Sequence, residues 1–240
     1  MSQILSDDEA VRRAQQLLAA AGFYTGEIDG VWGGLADGAL QQALAAARAG
    51  AVDAKIPALP GSAVARDPRL CWGAKVSQTF RARVHWIAND LGMPADDLMA
   101  CIAWESGRTF APDVKNMAGS GATGLIQFMP KTAISLGTTV DQLAAMTAED
   151  QLNFVYKYFR PFKGRLRNLG DVYMAILWPA GVGQPDSYVL WEKGKAPKTY
   201  RQNAGLDADK DGRITRAECL GKIRALQSQG FAPGNVWPGA

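Results

Sequence analysis

The chain has 240 residues, 48% hydrophobic and 20% charged, which is enough to bury at least one core and allows one or two domains. Its 26 Lys and Arg against 23 Asp and Glu give a net charge of +3, spread along the chain rather than gathered into a run. That argues against a nucleic-acid binder and against an acidic disordered protein.

In chain order, residues 6–48 read as a unit of their own. Ser6-Asp7-Asp8-Glu9 is a capping-box signature, Val11, Ala14, Leu18 and Ala21 follow at helical spacing, and Gly22 stops the helix. A glycine-rich loop from Tyr24 to Gly34 leads to a second helix through Leu40 and Leu44. Leu17, Leu18, Ile28, Trp32, Leu40 and Leu44 are its candidate core. Residues 51–68, with three prolines and no period, read as a linker.

The period then returns. Phe80, Val84, Ile87 and Leu91 predict an amphipathic helix closed by Gly92, and Pro94 with Asp96 and Asp97 opens the next. A small hairpin is expected in the glycine-rich stretch 116–128. Thr147 to Asp150 caps a helix through Leu152, Val155, Tyr156 and Phe159, and Val172 and Ile176 mark another, ended by Pro179. The fold class expected is mainly α. Cys71, Cys101 and Cys219 are widely spaced with no CxxC pair and read as reduced, buried thiols, and the single His85 leaves little for a Cys/His metal site or a histidine triad. No apolar stretch reaches the roughly 20 residues that span a membrane. Met1 to Glu9 lacks signal-peptide character, so a soluble protein made in the cytoplasm is expected.

Glu105 draws attention first. Leu98, Ile102 and Glu105 are spaced i, i+4, i+7, so the carboxyl projects from the apolar face at the end of the helix, beside Trp104 and just before Gly107. Desolvation and the negative end of the helix dipole should raise its pKa toward that of a general acid at neutrality, as glycosidic cleavage requires. The alternatives are an ion pair with Arg108 or a carboxylate turned to solvent.

Glu105-Ser106-Gly107, followed about fifteen residues later by Gly121-Ala122-Thr123-Gly124-Leu125-Ile126-Gln127-Phe128-Met129-Pro130, resembles the lysozyme-like domain of soluble lytic transglycosylases and goose-type lysozymes, in the form found in phage endolysins. The resemblance implies Glu105 as catalytic acid/base, with Ser106, Gln127 and Met129 at the glycan cleft. Asn116 lies near a position where relatives carry a Ser that places the N-acetyl group. Tyr173 to Gly183 looks like a third family motif, usually Ala-Tyr-Asn-Ala-Gly, but has Trp178 and Pro179 where Tyr and Asn are usual. Trp178 can still stack on a sugar, and Tyr188 is the candidate for the missing phenol. Trp191 and Tyr200 suit either stacking or a core. A hydrolase needs a second carboxylate across the bond, for which Asp113, Glu149, Asp150 and Asp171 are candidates. A lytic transglycosylase needs only one Glu, and that mechanism is the first expectation, with muramidase hydrolysis second and a non-catalytic wall-binding virion protein third.

Asp207 to Glu218 fits a twelve-residue EF-hand loop at every position. Asp207, Asp209 and Asp211 are carboxylate ligands, Gly212 makes the turn, Arg213 offers its carbonyl, Thr215 binds directly or through water, and Glu218 is bidentate. With only Asn203 to Leu206 before it and no second loop, the expectation is a structural Ca²⁺ clip for a C-terminal helix, Ala217 to Gln227.

The N-terminal unit has a resemblance of its own. Gln15-Gln16-Leu17-Leu18, then Gly22 to Gly33 around Asp29-Gly30, then Ala39-Leu40, is similar to the small three-helix peptidoglycan-binding domain. Together the resemblances imply a phage endolysin: a wall-binding domain at 1–50, a linker at 51–68 and a lysozyme-like domain at 69–240. Its partner is the glycan strand of peptidoglycan, with no nucleic acid. It is expected to be a monomer that waits in the host cytoplasm for release to the wall or travels in a virion.

Overall fold

The computed structural model describes residues 12, 15, 16, 19, 25–29, 67–116 and 119–239. The chain divides into two compact units, Met1–Ala58 and Leu59–Ala240, so the division falls inside the stretch read as a linker. In the first unit, Arg12, Gln15, Gln16 and Ala19 are helical. Buried Gln15 donates to Asp29 Oδ1 at 2.8 Å, and Arg12 donates to the Ile28 carbonyl at 2.8 Å. These bonds tie the helical residues to Ile28 and Asp29. Ile28, expected in the core, is 39% exposed. Leu17, Leu18, Trp32, Leu40 and Leu44 lie outside the described residues.

The second unit is mainly helical. Its α-helices, numbered here from the start of this unit, are α1 (Gln78–Leu91), α2 (Ala95–Glu105), α3 (Pro130–Ser135), α4 (Val140–Ala144), α5 (Ala148–Phe159), α6 (Leu169–Leu177), α7 (Pro197–Asn203) and α8 (Arg216–Gly230). Helix α1 starts where the Ser77 hydroxyl accepts from the Phe80 N–H and ends at Gly92 with φ +71°. Thr147 caps α5 and Asn168 caps α6, each accepting from the N–H three residues on. Three short helices were not expected: α3 has Pro130 in its first turn, α4 carries a full Thr139/Gln142 capping box, and α7 starts at Pro197.

Helix α2 is the centre. Asp97 through Ala103 are all buried, and α1, α6 and α8 pack around it. A helix covered on nearly every side is set by its neighbours rather than by one amphipathic stripe. Cys71, Cys101 and Cys219 are free and buried, as expected, and burial pushes the Cys71 thiol up to about 12.

The ends of this unit lock together. Leu70 and Trp237 form an antiparallel bridge, and the Arg81 guanidinium lies 3.9 Å from the Trp237 ring centroid while pairing with buried Asp67. Asp67 therefore belongs to the folded unit, which begins before the boundary read at 69.

The two-stranded sheet is not in the glycine-rich stretch. It joins β1 (Val189–Glu192) to β2 (Arg213–Thr215), antiparallel, with Trp191 opposite Ile214. Arg216, buried at the start of α8, reaches Asp171 at 3.0 Å and Asp186 at 2.7 Å, bolting α8 to α6. Asp171→Ala would leave that buried charge half-compensated. It is expected to lower the unfolding free energy by about 3 kcal/mol in urea titrations, whereas Lys195→Ala, which removes only the exposed pair with Glu192, should change it by less than about 1 kcal/mol.

Candidate active site

Glu105 is the last residue of α2, and the chain leaves the helix at once through Ser106 and Gly107, the latter with φ +61°. Its carboxyl keeps some contact with solvent, but the protein packs densely around it. It makes no ion pair or hydrogen bond with the described residues; Arg108, the alternative partner, is exposed. Burial therefore acts unopposed and pushes the carboxyl up to about 7.

Two phenols that the sequence reading passed over stand near this carboxyl. Tyr158 of α5 and Tyr173 of α6 are raised first by burial and then by the charge of Glu105, Tyr158 to about 12 and Tyr173 higher still. Both remain neutral O–H groups at any working pH. Tyr158 donates to the Ala175 carbonyl at 2.8 Å, and the Tyr173 ring meets Trp104 edge to face at 6.5 Å. Tyr188, the expected phenol, is half-buried where the chain enters β1, and its carbonyl accepts from the Arg216 N–H.

Ser106, expected at the cleft, does not line it. It has no exposed surface; its hydroxyl donates to the Ile102 carbonyl at 2.7 Å and accepts from the Phe110 N–H at 3.2 Å. It closes the end of α2 and cannot touch a substrate.

The segment after α2 turns back on itself. Thr123 bridges both Lys115 and Phe128, which is all that forms of the expected hairpin among the described residues. Arg108, Phe110 and Gln127 all have left-handed φ without being glycine, and such conformations persist only where the surroundings impose them. Gln127 was expected to line the cleft. Its amide N–H₂ instead donates to the carbonyls of Val114 and Gly124, at 3.0 and 3.1 Å, and its Oε1 makes no hydrogen bond to the described residues. Gln127 clamps the turn and has only its oxygen to offer a ligand. Met129 is 47% exposed at the start of α3, and Asn116 is exposed with its N–H bonded to the Ala122 carbonyl.

What holds this segment is Gln151, a residue the sequence reading missed. It is fully buried on α5, accepts from the Leu125 N–H at 2.6 Å and donates to the carbonyls of Pro112 and Leu143. The available signal was a polar residue on the same helical stripe as Val155 and Phe159.

Trp178 ends α6 and packs edge to face on Trp191 at 5.6 Å. Trp191 is buried and the Tyr200 hydroxyl donates to Asp207, while Trp178 and Tyr188 keep partial exposure. Among the candidate second carboxylates, Glu149 accepts from the Ser77 hydroxyl, and Asp150 from Thr147. Asp171 is held by Arg216, Asn168 and the Gly183 N–H, while Asp113 is exposed.

The loop from Asp207 has a helix before it after all, α7 continued by a short turn at Ala204–Leu206. Its strand β2 pairs with β1 in place of a second loop. Asp207, Asp209 and Asp211 bring carboxylate oxygens within 4.8 Å of one another. Gly212 has φ +85°, and Glu218 accepts from the N–H groups of Ala208 and Thr215. Asp207 Oδ1 is buried without a hydrogen-bond partner, which is costly for a carboxylate oxygen unless a cation meets it. The three aspartates fit a hard cation, while Glu218, expected as the bidentate ligand, lies outside their group and is held in a capping box with Thr215.

No known family profile matches the chain, and no curated protein matches it. No helix among the described residues is long and apolar enough to cross a membrane.

The folded protein keeps the Glu105 proton between its ordinary value of 4.5 and about 7, where the unfolded chain has released it. Stability therefore falls as pH rises through this window. Glu105→Gln removes the penalty, so chemical denaturation should find it more stable than the parent by about 3 kcal/mol at pH 8 and equal to it at pH 4.

Proposed function

We propose that the chain is an endolysin-like glycosidase that cuts the β-1,4 bond between N-acetylmuramic acid and N-acetylglucosamine in peptidoglycan. The observation that carries this reading is the unpaired, desolvated carboxyl of Glu105 at about 7, near Tyr158, whose ring packs edge to face on Phe128 of the segment that resembles the lysozyme-like glycan cleft. A carboxylic acid still protonated near neutrality can donate to the glycosidic oxygen as the C1–O bond breaks. The resulting carboxylate then takes the proton of the muramic acid C6 hydroxyl as that oxygen bonds to C1. The acid is regenerated and a 1,6-anhydro end is left.

This lytic transglycosylase route needs one carboxylate. It is favoured because three of the four candidate second carboxylates, Glu149, Asp150 and Asp171, are engaged in hydrogen bonds or ion pairs, which leaves only the exposed Asp113. Tyr158 and Tyr173 add neutral O–H groups around the acid without a charge that would pull its pKa back down. Gln127 Oε1, Met129, Asn116, Trp178 and Tyr188 are the residues assigned to the glycan. The N-terminal unit is assigned to wall binding, and the protein to the periplasmic wall after release from the host cytoplasm or delivery in a virion.

We also assign one structural Ca²⁺ to the 207–218 loop, held by Asp207, Asp209, Asp211, the Arg213 carbonyl, Thr215 and Glu218. The cation would neutralise clustered carboxylates and tie α7 and β2 to α8, with no part in bond cleavage.

Mass spectrometry of fragments released from purified Gram-negative peptidoglycan tests the reaction. Anhydromuramic ends from the parent and none from Glu105→Gln are expected. Reducing ends about 18 Da heavier would mean muramidase hydrolysis, and no fragments from either protein would leave only wall binding. For the metal, Ca²⁺ at roughly 100 times its Kd should add about 2.7 kcal/mol of stability, reversed by chelation and absent in Asp209→Asn/Asp211→Asn.

A further inference from the structure

The connection between α5 and α6 departs from the even spread of charge elsewhere. Arg160, Lys163, Arg165 and Arg167 put four cations into eight residues, with no acid among them. Lys163 is used by Asp90 at 2.9 Å. Arg165 and Arg167 pair with no carboxylate among the described residues; the Arg165 guanidinium lies over its neighbour Phe162. Between them Leu166 is fully buried while both arginines are exposed. Arg165 closes a turn on the Phe162 carbonyl, and both arginines line one cavity.

This cavity, of about 370 Å³, is also lined by Asn168, Asp171, Gly183 and Arg216. Its walls are fixed: the Gly164 N–H is bonded to the Leu91 carbonyl and the Gly183 N–H to Asp171. Its one acid is spent. Asp171 accepts from Arg216, Gly183, Asn168 and the Arg167 N–H, so the carboxylate faces compensated charge while Arg165 and Arg167 remain over. Asp171 and Tyr173 are two residues apart on α6, about 200° around the helix at about 100° per residue. The cavity therefore opens on the face of α6 opposite the one that meets Glu105.

We infer that this cavity is an exosite for carboxylates, and that its ligand is the peptide stem carried by the wall polymer rather than the glycan being cut. Two forked guanidinium groups at one cavity suit planar carboxylates, with bidentate geometry available to each. A charged peptide hanging from the strand, away from the bond at Glu105, is the part of peptidoglycan with that chemistry. The inference rests on the proposed substrate.

The test compares intact peptidoglycan with glycan strands stripped of their peptides by an amidase. The proteins are the full-length parent, Arg165→Gln/Arg167→Gln, and Lys75→Gln/Lys198→Gln, which loses the same charge from exposed positions elsewhere. The arginine variant should keep its thermal midpoint and its rate on stripped strands. Its kcat/KM on intact peptidoglycan should fall roughly three- to tenfold through KM, as expected for two exposed charge-assisted contacts. A short peptide with a free terminal carboxylate should compete with the parent on intact peptidoglycan more strongly than equal inorganic phosphate.

Equal losses on both substrates, an equal loss in the lysine variant, or equal competition by phosphate would overturn the inference. If the parent cleaves neither substrate, the proposed reaction has failed instead. In that case, binding of the three proteins to intact and stripped polymer decides the exosite by the same differences.

Discussion

Everything at the candidate site depends on the burial of one helix. Seven consecutive residues of α2, Asp97 to Ala103, are covered by protein, so the helix can neither rotate nor shift without opening the core. Its last residue is carried to a fixed place where water is scarce and no counter-ion waits. A carboxyl in that position pays a solvation cost only when ionised, and the helix cannot move to relieve it. The surrounding packing supplies the stability that offsets this cost. Arg216 with Asp171 and Asp186 joins α8 to α6, and the Leu70 bridge to Trp237 closes the unit's ends.

Around that fixed carboxyl the protein arranges neutral groups. Tyr158 and Tyr173 arrive from two different helices, and Gln151 pins the returning chain at two points, Pro112 and Leu125, and joins it to α4 at Leu143 through one buried amide. A cation in place of either phenol would pull the carboxyl back toward its ordinary range. The left-handed backbone at Arg108, Phe110 and Gln127 belongs to the same arrangement: a tight return that brings the chain back along the end of α2. The arginines, by contrast, collect on the other face of α6, where their charge does not oppose the burial of Glu105.

Much of the scaffold was legible in the residues. Phe80, Val84, Ile87 and Leu91 repeat at helical spacing and are all buried; Thr147 and Gly92 mark real ends because capping is local chemistry. The elevated Glu105 could be anticipated from a carboxyl on an apolar face. The rest depended on partners distant in sequence. Nothing near Ser106 announces that its hydroxyl is consumed by Ile102 and Phe110. The phenols beside Glu105 lie 53 and 68 residues downstream of it, and no local pattern brings them there. The sheet was expected at 116–128, but turn residues there make isolated bridges, while the pairing partner of Arg213–Thr215 lies across α7 at Val189–Glu192. The helix before the acidic loop was overlooked because Pro197 to Asn203 has no apolar stripe.

The claim on which the account turns is that Glu105 holds its proton at neutral pH. Its carboxyl carbon can be followed by NMR in protein labelled at glutamate, with Glu105→Gln identifying the resonance. The account predicts a carboxyl titrating near 7 that vanishes in the variant. A Glu105 resonance titrating near 4.5, like the ordinary glutamates, would contradict it.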